Sequence, residues 1–247
     1  MFIGALAKTA ADALISVLLA PECAVCNAVL ATSLDGCVCR NCWASVQPII
    51  LPVCDACGDP LPRAIDSQVC HSCSLRPRVI DRARAIGEYD GTLRDIIHAL
   101  KYQQRLSVAR GLAALMRSPG RELLEAADLA VPVPLHRRRE RTRGFNQAHE
   151  LARHLGLPVG PVLVRARHTA SQVELPADRR HANVQGAFTL RGRWIGRSAG
   201  VKGQTIVLVD DVSTTGSTLE ACASVLKEAG AAQVYALTAA RVVTKRH

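Results

Sequence analysis

Eight cysteines fall into two identical sets, and no other feature limits so sharply what this chain can fold into. Shifting Cys23, Cys26, Cys39 and Cys42 by 31 residues lays them on Cys54, Cys57, Cys70 and Cys73. Both sets read P-x-C-x2-C-x12-C-x2-C. The match extends past the sulphurs, because Pro21 falls on Pro52, Leu30 on Leu61, Asp35 on Asp66 and Val38 on Val69. Paired C-x2-C units belong to metal sites rather than to a disulfide framework. Four thiolates complete a tetrahedral zinc ion and leave no position for water or substrate. Two structural Zn2+ ions are therefore expected, in a chain kept in a reducing, cytoplasmic compartment. Spacing alone leaves open whether each ion is held within one repeat or across both. Asn27 and Gly58 follow the second cysteine of each set, and these residue types adopt the positive φ of a thiolate-wrapping turn most readily. Cys37 and Cys222 belong to neither set and read as spare or core thiols.

Beyond the repeat the pattern changes, which divides the chain into an N-terminal module at 1–80 and a larger domain at 81–247. With 247 residues, 49% of them hydrophobic, there is enough chain for one full core and one small appendage. The apolar start, Met1 to Ala20, is interrupted by Lys8 and Asp12 and stopped by Pro21, so it reads as a docking helix and not as a stable membrane insertion. Strands are expected at Arg84–Tyr89, Leu129–Val133, Val162–Val164, Thr205–Val209 and Gln233–Thr238. Helices are expected at Thr92–Lys101, behind a capping Asp90, and at about Ser217–Ala229, with Gly230 as the stop. Strand, loop, helix and strand in succession imply a parallel α/β sheet. No low-complexity linker separates the two parts, so they are expected to pack together.

The net charge of +10 is unevenly placed. Residues 1–80 hold five Lys/Arg and six Asp/Glu, a net of −1, while the rest carries 26 basic against 15 acidic residues, a net of +11. Eight thiolates and two zinc ions take the cysteine module to about −5, a poor match to nucleic-acid phosphate. The ribbons are therefore expected to act as a scaffold or protein dock, and any single-stranded DNA contact falls to the basic domain.

The most informative segment of that domain is Val207–Thr218. An apolar strand ends in Asp210 and Asp211 and runs through Ser213, Thr214, Thr215, Gly216, Ser217 and Thr218 into a helix. Such a turn surrounds a phosphate with N–H groups and hydroxyls at a helix N-terminus, and glycine lets the backbone approach closely. The two carboxylates, one step earlier, are placed to accept hydrogen bonds from ribose hydroxyls.

At these residues the sequence resembles the type I phosphoribosyltransferases. Nearly the whole chain resembles the ComF family, linked with DNA uptake in bacterial competence. The resemblance rests on the double ribbon, Ala99-Leu100-Lys101-Tyr102, Val131-Pro132-Val133-Pro134-Leu135, Arg143-Gly144-Phe145-Asn146-Gln147, Arg179-Arg180 with Asn183, and Val207–Thr218. Ser213 departs mildly from the aliphatic residue that many transferases carry there. The implied fold is a type I phosphoribosyltransferase-like parallel sheet flanked by helices behind a double zinc ribbon. The implied ligand is phosphoribosyl pyrophosphate with Mg2+, or a related nucleotide. By resemblance, Ser213–Thr218 hold the 5′-phosphate, Asp210 and Asp211 the ribose, and the loop after Pro134 the pyrophosphate.

That loop, with Arg137, Arg138 and Arg143 among its five arginines, suits bidentate phosphate contact. Pyrophosphate and a nucleic-acid backbone both remain open as its partner. Arg167–Ala187, carrying Gln172, His168 and His181, reads as a mobile hood. Three functions remain open: an active transferase acting on a nucleobase, an adaptor in DNA uptake whose site binds a nucleotide-like ligand or a single-stranded DNA end while the ribbons dock a helicase or another DNA-uptake protein, and a phosphoribosyl-pyrophosphate sensor. No nucleophile pocket or catalytic residue is legible. At 3% aromatic content, few rings are available to stack bases.

Overall fold

The computed structural model describes residues 21–30, 36–62, 67–166, 186–191 and 201–243. The expected N-terminal helix, most of the hood with His168 and His181, and Arg179, Arg180 and Asn183 lie outside these residues.

Each cysteine set builds one small ribbon, and the two share the main-chain hydrogen bonds of their turns. Cys23 N donates to Ala28 O at 2.8 Å and Leu30 N to Pro21 O at 2.8 Å; 31 residues on, Cys54 N donates to Asp59 O at 2.7 Å and Leu61 N to Pro52 O at 2.8 Å. A short helix carries the last cysteine of each set, α1 (Arg40–Ala44) and α2 (His71–Leu75). Asn27 and Gly58 both adopt positive φ, 60° and 75°. Only the second must be glycine, since a Cβ on Gly58 would stand 2.9 Å from the carbonyl oxygen of Ala83.

The remaining elements are β1 (Arg82–Glu88), α3 (Gly91–Tyr102), α4 (Ser107–Glu125), β2 (Leu129–Pro132), α5 (Arg137–Arg143), α6 (Gln147–Ala152), β3 (Leu163–Arg165), β4 (Phe188–Leu190), β5 (Thr205–Ser213), α7 (Ser217–Glu228) and β6 (Gln233–Arg241). Four strands form a parallel sheet in the order β1-β6-β5-β2, and β3 and β4 pair antiparallel beside it. Side chains on a strand alternate between faces. Val207 and Val209 accordingly join the core under α4 and α6, with Leu112, Met116, Leu151 and Leu237. Ile206 and Leu208 join the core under α7, with Leu219, Cys222 and Leu226. A strand buried on both faces reads as a continuous apolar run, which is why Thr205–Val209 stood out in the sequence.

Two expectations need correction. The tract after Pro134 is not a loop but the seven-residue helix α5, entered through His136, whose Nδ1 accepts from Arg138 N, and ended by Gly144 at φ 82°. Arginine is a good helix former, and nothing in Arg137–Arg143 breaks a turn. Strand β5 also runs past Val209 to Ser213, so the aspartates lie within the strand. Helix α4 was not foreseen because Gly111, Pro119 and Gly120 disguise it. Those glycines are sites of close packing: a Cβ on Gly111 would meet the Trp43 ring at 2.4 Å, and one on Gly120 would meet Leu237 at 2.7 Å.

Candidate functional site

The four sulphurs of each set lie within 4.8 Å of one another: Cys23, Cys26, Cys39 and Cys42 in one group, and Cys54, Cys57, Cys70 and Cys73 in the other. The ligand sets are therefore formed within each repeat. Sulphur separations of 3.9 Å (Cys23 to Cys42), 3.7 Å (Cys26 to Cys39) and 3.8 Å (Cys57 to Cys70) fit the edge of a tetrahedron. Zn–S bonds of about 2.3 Å give an edge of about 3.8 Å, whereas a disulfide needs about 2.05 Å. Backbone N–H groups already point at the sulphurs, with Cys39 N 3.3 Å from Cys23 Sγ and Cys70 N 3.2 Å from Cys54 Sγ. Hydrogen bonding from Cys57 outweighs burial and, with the Cys70 and Cys57 amides, lowers the Cys54 pKa to about 4, favouring the thiolate that a metal takes. The donor sets fit two structural zinc ions. Cys37 stays outside them, accepting from Ser107 Oγ at 3.5 Å, and Cys222 is a buried core residue of α7.

The second site lies where β2 and β5 run side by side. The helices that follow them cover opposite faces, α6 beside α4 and α7 on the other side, so a crevice opens at the carboxyl ends of these strands. Open α/β sheets bind ligands at such switch points. Strand β5 delivers Asp210 and Asp211 to it, and the turn Thr214–Gly216 leads straight into α7. Gly216 holds φ 79° at the head of α7, a conformation that costs a residue with a side chain about 1–2 kcal/mol. Thr215 Oγ1 and Ser217 Oγ share a hydrogen bond at 2.7 Å, and Ser213 is buried under the turn.

Alternation along β5 separates the two aspartates. Asp211, 4% exposed, lies on the α4 side, where its Oδ1 meets Lys101 Nζ at 3.1 Å while Oδ2 is buried with no hydrogen-bond partner among the described residues. Burial works against a charge on Lys101, but the Asp211 carboxylate more than compensates and raises its pKa above the ordinary value. Asp210 is half-buried and accepts from Asp211 N at 2.8 Å. Burial and then the neighbouring Asp211 charge raise its pKa to about 7. Lys101 thus supplies a partner for Asp211 that sequence reasoning did not assign, although the Ala99–Tyr102 motif contains it. The ring of Tyr102, next in that motif, lies under the Arg143 guanidinium at 5.4 Å.

The arginines of α5 lie on the helix that follows β2, and of those assigned to the site Arg137 lines the cavity beside it. Arg137 and Arg138 are exposed and Arg143 is half-buried. Asn146 fixes the next helix to the strand, donating to Val133 O at 3.0 Å and capping Ala148 N at 2.9 Å. Between α5, α6 and the β3–β4 ribbon lies a cavity of about 710 Å3, bordered by Leu135, Arg137, Phe145, His149 and Arg165. Arg165 also adds positive potential at Asp210. Its position at the end of an apolar run was the only signal the sequence held.

Comparison with known proteins gives these two sites a family. Residues 141–247 match the phosphoribosyl transferase domain, and residues 14–74 match the double zinc ribbon domain. The "DNA utilization protein YhgH" of Salmonella typhimurium is 36% identical over 172 residues, covering 64% of this chain and 71% of that protein. "Competence protein F" of Haemophilus influenzae is 32% identical over 171 residues, covering 65% of this chain and 73% of that protein. The chain belongs to the ComF family. "Competence protein ComFC" of Bacillus subtilis is 36% identical over 112 residues, covering 45% of this chain and 43% of that protein. The ComF architecture of double ribbon and phosphoribosyltransferase-like sheet is thus the one built here, and among the described residues no helix is long and apolar enough to cross a membrane.

Proposed function

We propose that this ComF protein is a cytoplasmic component of DNA uptake that binds phosphoribosyl pyrophosphate with Mg2+, or a related nucleotide, in the crevice between β2 and β5. The observation that carries the reading is the juxtaposition, on one strand and its turn, of two carboxylates and a hydroxyl-rich, glycine-headed helix start at a topological switch point. In this reading the turn Ser213–Thr218 takes the 5′-phosphate and Asp210 and Asp211 face the ribose. The carboxylate open to such a ligand is that of Asp210, which is half-buried at the end of the apolar run. This reading assigns Arg137, Arg138 and Arg143 to the pyrophosphate, and Arg137 lines the neighbouring cavity. Mg2+ would enter with the ligand and neutralise part of its charge.

Binding is tested by thermal shift with Mg2+ and phosphoribosyl pyrophosphate on the full chain. Wild type is expected to be stabilised, and the D210N/D211N double variant is not. Equal shifts in the two proteins would remove the assignment. Transfer of phosphoribose to a nucleobase is a second reading, favoured by the cavity of about 710 Å3 beside the crevice, which has room for an acceptor. Pyrophosphate release that depends on one base would establish it; binding without release leaves the adaptor or sensor role. The same α5 arginines also suit a nucleic-acid backbone. Single-stranded DNA binding that weakens with salt and is lost on R137E/R138E would assign them to it. A helicase or other DNA-uptake protein is the partner expected at the ribbons.

A further inference from the structure

The two ribbons share a ligand geometry but not an environment. Cys26 and Cys39 lie 3.7 Å apart sulphur to sulphur, and their counterparts 31 residues on, Cys57 and Cys70, lie 3.8 Å apart. The first pair is open to solvent, with Cys26 exposed and Cys39 half-buried. The second is closed, with Cys57 5% and Cys70 8% exposed. This difference follows from how each ribbon is docked. The turn after Cys57 is pressed against the sheet: Arg241 Nη1 donates to Cys57 O, Arg241 Nε meets Asp59 at 2.7 Å, and a Cβ on Gly58 would stand 2.9 Å from Ala83 O. The first ribbon is held instead through Cys23, Leu30, Val38 and Cys42, and its equivalent turn, Cys26–Val29, is exposed.

We propose that Cys26 and Cys39 form a redox-modification site, which a peroxide oxidises to a disulfide while the second ribbon stays reduced. The chemistry available to the two pairs is the same, so access decides between them. The Cys26 sulphur attacks the O–O bond, keeps one oxygen as S–OH and releases the other as hydroxide. The Cys39 sulphur then displaces the hydroxyl, forming the S–S bond and a second hydroxide. The two sulphurs lose two electrons, and the peroxide gains them. Two protons, from the thiols or from the buffer where the sulphurs hold zinc, convert both hydroxides to water. A zinc ion left with two of its four sulphur ligands is released. The effect reaches beyond the metal. Cys39 Sγ accepts from Cys42 N at 3.4 Å at the head of α1, and α1 carries Trp43, whose ring packs on Gly111 of α4. Oxidation therefore loosens the first ribbon from α4 and leaves the second in place on β1 and β6.

The test adds hydrogen peroxide to the reduced, zinc-loaded full chain and follows zinc release with a chromogenic chelator. One ion per chain should leave about tenfold or more faster than the other. At the end of the fast phase the protein is denatured with chelator, its free thiols are alkylated, and the cysteines are mapped by mass spectrometry. A Cys26–Cys39 disulfide is expected, with Cys54, Cys57, Cys70 and Cys73 alkylated. In a W194F background, Trp43 fluorescence should change during the fast phase and return when a dithiol and zinc are restored. Cys37, two residues before Cys39, is the competing thiol, and C37S should leave the fast rate unchanged. Equal release of both ions, oxidation of Cys57 and Cys70 first, or a fast-phase disulfide through Cys37 would overturn the proposal. Protein prepared without metal decides the matter in the same way, because the mapping compares the two pairs by position.

Discussion

Replacing Lys101 with methionine should be among the most damaging single changes outside the zinc sites. Lys101 and Asp211 form an ion pair at 3.1 Å with side-chain exposures of 14% and 6%. Methionine keeps the length and packing of the side chain but leaves Asp211 as a buried carboxylate whose second oxygen already lacks a partner among the described residues. Removing one member of a buried pair costs about 3–5 kcal/mol, and the slight exposure of Lys101 argues for the lower end, about 3 kcal/mol. In a chain of this size 1 kcal/mol moves Tm by about 2–4 °C, so K101M should lower Tm by about 6–12 °C.

Asp211→Asn is expected to cost less, about 1–2 kcal/mol, because Asp210 also favours the charge on Lys101 and takes over as its nearest anion. The K101M/D211N double variant removes both charges and should be more stable than K101M alone, giving a coupling energy of at least about 1.5 kcal/mol. Urea unfolding of zinc-saturated protein at low and high salt reads all four corners of the cycle. A buried pair is weakly screened, so the penalty should persist at high salt, unlike that of the exposed Arg94–Asp95 pair. A K101M penalty below about 1 kcal/mol, or additive single changes, would refute the view that Lys101 is what permits Asp211 to be charged inside the fold.

Metal analysis should find two zinc ions per chain, and stripping them should abolish the near-ultraviolet circular dichroism of Trp43, which packs on the first ribbon and α4; a count near one would contradict two complete ligand sets. G58A should cost about 3 kcal/mol, since both a left-handed φ of 75° and a 2.9 Å approach to a backbone oxygen oppose it. G216A, whose Cβ meets only the movable end of Arg78, should cost about 1–2 kcal/mol; the reverse order in urea midpoints would show that the two glycines are misjudged. Asp210 has an ordinary pKa of 3.8 that burial and Asp211 raise to about 7. The folded state therefore keeps a proton that the unfolded chain gives up, and this group makes the protein less stable as pH rises from about 4 to about 7. D210N should flatten that slope, and an unchanged pH profile in D210N would sink the assignment.

The parts of the fold set by local chemistry were readable in advance. The offset of 31 residues identified two equivalent ribbons because thiolate geometry tolerates little variation in spacing. Strand β5 and helix α7 announced themselves through an apolar run, two acids and a glycine-bearing turn. What stayed hidden depended on contacts between distant segments. Helix α4 contains Gly111 and Gly120 because the Trp43 ring and Leu237 need that space, and no local signal distinguishes such glycines from loop residues. Arginine-rich α5 looked like a loop because it buries no residue and so shows no apolar period. Lys101 and Arg78 each meet their partners across more than 100 residues of sequence, 110 in one case and 137 in the other, which puts both outside any windowed reading.

The places where the two repeats differ show how each ribbon docks on the rest of the chain. Asp55 and Asp59 of the second ribbon correspond, 31 residues back, to Ala24 and Ala28. Asp55 meets Arg84 at 2.6 Å and Arg82 at 3.7 Å on β1, and Asp59 meets Arg241 at 2.7 Å at the end of β6. Among the described residues the first ribbon makes no such arginine pairs, and its Cys23, Leu30, Val38 and Cys42 join the apolar core under α4. The same metal-binding unit has thus been given an acidic face where it docks on the basic sheet edge, and an apolar one where it docks on a helix. Part of the module's acidity is consumed inside the molecule, by Asp55 at the amino end of β1 and by Asp59 at the carboxyl end of β6, which lies beside the strand that carries Asp210 and Asp211. Acidic residues in a zinc ribbon therefore do not by themselves advertise a basic partner; here they fix the ribbon against the strands that present the crevice.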